Sequence, residues 1–393
     1  DQPAKYYSLM SKHVIFIFCS LLSISCKNNK NYKIKDNQVV NIELARHEVA
    51  LTDTTFFESA RLVRLETNDD CLIRDIDRIF LCDGKLVVFD DAEDKVFIFD
   101  DNGKFLKSIG KKGSGPQEYD QISEVVYLKK QELLCLLCDR PYKTMYFDLS
   151  GNFIKEVSND TYYQNAATQY DRIICMDADY KGNNHLYVYD YPMKLQCDLE
   201  VPKNAYFHAN TSNTTFQFSK GQCMTSGDEA LFSRPYLPII YGYEDGIIHE
   251  KYRVDFGEYW LPIDLLENNI SPGEFLQICM EKGYRYTLEN MVETSRYLLA
   301  NTNSSLMIYD KKEKYAVEYA FILNTIIERG TPAFKPVPYT NCIAQVEHVD
   351  KICESIEWKR KMDIAIHNEK LLQLYEELDS EDNPIVILYT IPE

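Results

Sequence analysis

The stretch Lys85–Gly110, KLVVFDDAEDKVFIFDDNGKFLKSIG, decides how this chain is read. Leu86–Phe89, Val96–Phe99 and Phe105–Ile109 are apolar runs of strand length, too short for helices. Between them lie Asp90-Asp91-Ala92-Glu93-Asp94 and Asp100-Asp101-Asn102-Gly103. Asp, Asn and Gly supply the capped and left-handed conformations that a tight turn needs. The reading is three antiparallel strands in close succession. The turn Phe99-Asp100…Gly103…Phe105 recurs as Phe147-Asp148…Gly151…Phe153, again between two apolar runs.

Weaker echoes continue along the chain. Leu186–Tyr189 ends at Asp190, Ile239–Tyr243 ends at Glu244-Asp245-Gly246, Leu306–Tyr309 ends at Asp310, and Ile385–Tyr389 lies near the C-terminus. With the first two, these make six strand ends over about 350 residues, or one sheet of about four strands per 45–65 residues, which is the period of a propeller or similar repeat array. One such sheet cannot bury both faces alone, whereas neighbouring sheets packed face to face can. The expected fold class is therefore all-β, with helical insertions in the late repeats. Ser271-Pro272-Gly273-Glu274 followed by FLQICMEK reads as a capped helix, with Ser271 as N-cap. Glu369–Leu378 has a helical apolar register, which extends back through Ile356–Ile366.

Across 393 residues, 43 Lys and Arg face 61 Asp and Glu, a net charge of −18. Such a surface repels phosphate backbones, so nucleic acid is excluded as a partner class and an anionic membrane surface is disfavoured. The 29 Tyr and 19 Phe favour sheets. No domain boundary is read after about residue 39, and a monomer is expected.

The N-terminal region carries a targeting pattern. Met10 reads as the start, Lys12-His13 as a basic n-region and Val14–Ile24 (VIFIFCSLLSI) as an apolar run too short to span a bilayer. Ser25-Cys26 then precedes a polar stretch. A small residue before Cys at the end of such a run resembles a bacterial lipoprotein cleavage site, with Cys26 as the lipidated residue. Residues 1–26 are thus a signal region, 27–38 a tether and 39–393 the folded body. The expectation is an exported protein, lipid-anchored in the cell envelope at the outer membrane and facing the periplasm.

The run Gly110-Lys111-Lys112-Gly113-Ser114-Gly115-Pro116-Gln117-Glu118-Tyr119 carries a more specific likeness. A strand FLKSIG followed by GxGPxEY resembles the six-bladed, NHL-like β-propeller lipoproteins of Bacteroidetes, whose function is unknown. Val63–Thr67, Glu289–Leu298, Asn324–Pro336 and Glu381–Pro384 are similar to further segments of that family. The resemblance implies a six-bladed β-propeller over residues 40–393, with Val63–Thr67 opening the first blade. It also implies ring closure by the last strand, IVILY, pairing with an N-terminal strand near Val39–Leu44.

Signals for chemistry are sparse. The histidines show no HxH or HExxH spacing, so no metal site is read, and no cofactor is expected. A divalent cation in a central channel would need ligands from several blades. The Asp90, Asp91, Asp100 and Asp101 run lacks calcium-loop spacing and reads as turn capping. Cys135 and Cys138, three apart on a strand, face opposite sides and cannot share a zinc ion. Gly110, Gly113 and Gly115 read as a tight connection between blades, not as a phosphate cradle. The candidate ligand-binding residues are Tyr286, Glu289, Glu293, Arg296 and Tyr297, which combine flat aromatic faces with charge and suit a glycan or peptide. The favoured function is a non-catalytic binding or protein-interaction module. The alternatives are a metal-dependent lactonase- or lyase-like enzyme and a structural partner of an outer-membrane complex.

Overall fold

The computed structural model describes residues 39–177, 185–200, 222–234, 236–244, 246–267 and 270–393. The signal region, Cys26 and the tether lie outside the described residues.

Two strands come first, β1 (Val40–Thr52) and β2 (Ser59–Arg64). Antiparallel meanders follow. Quartet I is β3 (Arg78–Cys82), β4 (Lys85–Asp90), β5 (Lys95–Asp100) and β6 (Phe105–Ile109). Quartet II is β7 (Gln121–Leu128), β8 (Leu133–Arg140), β9 (Lys143–Asp148) and β10 (Phe153–Ser158). Quartet III is β11 (Tyr163–Gln169), β12 (Arg172–Asp177), β13 (His185–Asp190) and β14 (Lys194–Glu200). Quartet IV is β15 (Cys223–Ser226), β16 (Glu229–Ser233), β17 (Ile239–Glu244) and β18 (Ile247–Asp255). Quartet V is β19 (Glu289–Glu293), β20 (Tyr297–Asn301), β21 (Leu306–Asp310) and β22 (Tyr315–Asn324), with β23 (Arg329–Thr331) paired to β22. Quartet VI is β24 (Lys335–Val337), β25 (Cys342–Glu347), β26 (Ile385–Thr390) and the early strand β2. The six echoes of the sequence fall on β5, β9, β13, β17, β21 and β26, the third strand of each quartet.

Side chains alternate between the two faces of each quartet, so each face packs against a different neighbour. Val87 and Phe89 meet Leu134 and Leu136 between quartets I and II. Val126 and Tyr146 meet Ile173 and Cys175 between II and III. Ile174 and Val188 meet Phe232 and Tyr241 between III and IV. Leu231 and Ile240 meet Met291 and Leu298 between IV and V. Leu299 and Leu306 meet Ile387 and Tyr389 between V and VI. Val386 and Leu388 meet Leu86 and Val88 between VI and I, and the ring closes. The fold is an all-β propeller. Cys135 and Cys138 do face opposite ways, into the II/III and I/II cores.

The repeated turn works as its residues dictate. Asp100 Oδ1 accepts the N–H groups of Asn102 and Lys104 at 2.8 and 2.9 Å, and Asp148 Oδ1 those of Ser150 and Asn152 at 2.9 and 2.8 Å. Gly103, at φ +86°, also leaves no room: a Cβ there would lie 1.9 Å from the Arg64 carbonyl oxygen of quartet VI. The Gly110–Tyr119 segment is a tight link between quartets I and II. Tyr119 N–H and Gly113 N–H bond back across the loop, and the Tyr119 phenol donates to the Asp94 carbonyl at 2.8 Å. Asp90 accepts backbone N–H groups of Arg74, Asp75 and Glu93, as a turn cap does.

Three expectations are corrected. The last strand β26 closes on Ser59–Arg64 (β2), not on Val39–Leu44. Val63 and Arg64 therefore complete the last quartet and do not open the first. The segment near Val39–Leu44 is instead part of β1, which runs parallel to β18 over Val40–Glu43 and then parallel to β22 over Leu44–Thr52. It joins quartets IV and V into one ten-stranded sheet. The third correction concerns the helices. Val349–Lys361 and Glu369–Glu377 are separate, broken where Asp363 takes φ +54° and Asn368 caps a new start. The Pro272–Lys282 helix has the Ser271–Glu274 capping box. No helix among the described residues is long and apolar enough to cross a membrane.

Candidate functional site

The first strands of the quartets, β3, β7, β11, β15, β19 and β24, neighbour one another around the ring. In a meander all of them run the same way along the axis, so their starts share one end and their finishes the other. The two ends differ in chemistry.

At the starting end, polar groups tie one quartet to the next. Arg78, the first residue of β3, reaches Glu124 of β7 at 2.7 Å and Asp77 at 2.6 Å. The Asn165 side chain of β11 accepts the Cys223 N–H at the start of β15. Gln222 accepts the Asn290 N–H of β19 at 2.7 Å. Lys335, the first residue of β24, lies 3.5 Å from Asp77 and acts electrostatically on Glu289 of β19. Arg78 and Glu124 are buried. Burial pushes the Glu124 carboxyl up to about 7, against the pull of Arg78. Burial also works against the Arg78 cation, but Asp77 and Glu124 outweigh it and hold the guanidinium charged. Glu289 is raised by burial, with Lys335 opposing, and Asp91 by burial and then by Asp77 and Asp75.

At the finishing end, neutral hydroxyls tie quartets together, alongside the charged Glu293 at the end of β19. Tyr339, two residues beyond β24, bonds through its phenol to Thr168 of β11 and donates to the Tyr127 carbonyl of β7 at 3.0 Å. Thr168 in turn meets the Thr225 hydroxyl of β15 at 3.0 Å. One phenol from quartet VI thereby spans the ring to quartets II and III.

The five residues read from the sequence fall in four places. Glu289 stands at the starting end. Tyr286 is packed between Phe275 of the Pro272–Lys282 helix and Tyr236, with ring centroids 5.3 and 6.3 Å away. Glu293, at the far end of β19, is a hub: it takes Lys251 at 2.7 Å, Lys311 at 3.1 Å and the Tyr252 phenol at 2.6 Å. Burial works against the Glu293 carboxylate, but Lys251 outweighs it and holds it below its ordinary range. Arg296 pairs with Asp310 at 2.8 Å and lies 4.9 Å from the Tyr297 ring centre. The starting-end groups Arg78, Glu124, Gln222, Asn290 and Lys335 were outside that reading. The available signal was a charged residue within a largely apolar strand, as in Glu124 of QISEVVYL. Among the described residues, no three His, Cys, Asp or Glu side chains are grouped to hold a metal ion.

Residues 37–390 match the model of a family described as a domain of unknown function (DUF4934). No curated protein matches the sequence. Among solved structures, a candidate exported protein of Bacteroides fragilis is 18% identical, with 90% of this chain and 100% of that chain covered and a TM-score of 0.69. A virginiamycin B lyase from Staphylococcus aureus is 12% identical over 66% of this chain and 74% of that chain, with a TM-score of 0.41. The Pan2 WD40 domain of Neurospora crassa is 8% identical over 81% and 76%, with a TM-score of 0.40.

Proposed function

This chain belongs to the DUF4934 family, and from that premise we propose that it is a six-bladed, non-catalytic binding propeller of the cell envelope. Its ligand enters where the inner strands begin. Six meander quartets and six inter-quartet cores support the blade count.

The contrast between the two ends of the ring carries the binding reading. Charged and amide groups from several blades converge at one end, while the Tyr339 phenol bridges the other. A site fed from many blades, with one open approach, suits recognition. The mouth groups are held by one another: Arg78 by two carboxylates, Asn165 and Gln222 by backbone N–H groups. That is a preorganised surface for a glycan or peptide of the envelope. Lys335 and Glu289, less tightly tied, are the residues that meet the ligand. Thermal-shift screening of neutral oligosaccharides and short peptides tests this. A ligand of the mouth loses about tenfold in affinity in Lys335→Met and in Glu289→Gln; a ligand indifferent to both sinks the reading.

The Ser25-Cys26 pattern supports export and attachment through a lipid on Cys26, at the outer membrane and facing the periplasm. Cys26→Ala moves the protein from the membrane to the soluble fraction on cell fractionation, and retention in the membrane would refute the anchor.

A further inference from the structure

A cavity of about 440 Å³ lies at the rim of the ring, away from the mouth. One wall is β1, with Asn41 and Glu43; the others are Tyr252 of β18, Tyr309 of β21, and Lys311 and Lys314 of the turn that follows. Its back is fixed. Lys311 is held by the Glu293 carboxylate and the Thr294 carbonyl, and Tyr252 donates to the same carboxylate at 2.6 Å. The Tyr252 and Tyr309 rings meet edge to face, with centroids 6.5 Å apart, and give the cavity an aromatic floor. Its two remaining charges are of opposite sign and come from different elements. The Glu43 and Lys314 side chains are both exposed and have no hydrogen-bond or ion-pair partner among the described residues.

We propose that this cavity binds the two charged termini of a short free peptide. Glu43 takes the ammonium, Lys314 takes the carboxylate, and the Tyr252–Tyr309 floor takes an apolar side chain between them. The volume falls in the range of small-molecule sites and suits a dipeptide. The two ion pairs act together because the ligand carries both charges on one short frame. Glu43 precedes Leu44, where β1 passes from β18 to β22, so a bound peptide links the strap to both quartets it joins. This site is separate from the mouth and does not depend on the mouth being a binding site.

The test is calorimetric titration of the purified full chain with glycyl-phenylalanine. Binding is expected, and N-acetyl-glycyl-phenylalanine amide, which lacks both charges, should bind at least about tenfold more weakly. Glu43→Gln and Lys314→Met each weaken glycyl-phenylalanine about tenfold or more while leaving the thermal midpoint of the free protein unchanged, because both side chains are exposed. Glu289→Gln, at the mouth, leaves this affinity unchanged. No heat of binding with glycyl-phenylalanine at about 10 mM, equal affinity for the blocked peptide, or an unchanged affinity in both rim variants overturns the proposal.

Discussion

The two ends of the inner-strand ring solve the same problem with opposite chemistry. Both must tie blades together where the strands run out. The starting end uses charge: Arg78 between Asp77 and Glu124, and Lys335 paired with Asp77 and pulling on the Glu289 carboxylate. The finishing end, Glu293 of β19 apart, uses neutral hydroxyls: Tyr339, Thr168 and Thr225. A neutral hydrogen bond adds little net energy but also costs little to bury, so it suits a permanent tie. A buried ion pair is costly to desolvate and most costly when half of it is removed. A fully buried pair such as Arg78–Glu124, kept despite that cost, fits a mouth whose charges also meet something from outside.

The comparison can be broken by substitution. Arg78→Met strands the Glu124 carboxylate and should lower unfolding stability by about 3–5 kcal/mol at pH 8, read from urea denaturation. A loss below about 1 kcal/mol would mean that the charged end is not a structural tie.

Acidity gives the second test. Glu124 is raised in the folded state from an ordinary 4.5 to about 7, so the folded protein holds this proton more tightly than the unfolded chain does. The contribution of Glu124 to stability is therefore full below the ordinary value and is lost as pH rises from about 4.5 to 7. Glu124→Gln should flatten that part of the stability–pH curve, and an unchanged slope would contradict the assignment.

Tyr339→Phe removes the bonds to Thr168 and Tyr127 at the neutral end and should cost about 1–2 kcal/mol, with no change in the pH profile. At the outer rim, Asp148→Ala unties only its own turn and should cost about 1 kcal/mol by thermal denaturation. If Tyr339→Phe proves as damaging as Arg78→Met, the contrast between the ends fails.

What the sequence made legible was local. The Asp100 and Asp148 turns could be read because the carboxylate bonds backbone two and four residues away, and β5 and β9 show because each ends in such a turn. The Ser271 cap was legible for the same reason. Ring closure was not. Val40–Thr52 and Ser59–Arg64 are both plausible strands, and nothing local says which edge each one finds across hundreds of residues of chain. The mouth was half legible. Glu289 was singled out for its neighbours in sequence, whereas its true neighbour Lys335 belongs to another blade. Arg78 and Glu124 stayed hidden because their pairing is a property of the closed ring. Glu293 and Arg296 were noticed as a cluster with Glu289, yet a strand sends its two ends to different places.

The strap β1 has a mechanical consequence. It pairs in parallel with the outer strands β18 and β22, its hydrogen bonds running across the strand direction, and it is engaged from Val40 to Thr52. A pull along the chain at Val40 loads these bonds in shear, so that many must yield together, and not one at a time as in peeling. The load is also divided between two blades that share an apolar core. Tension arriving from the N-terminal side therefore meets a strong grip before it reaches β2, the strand that holds the ring shut.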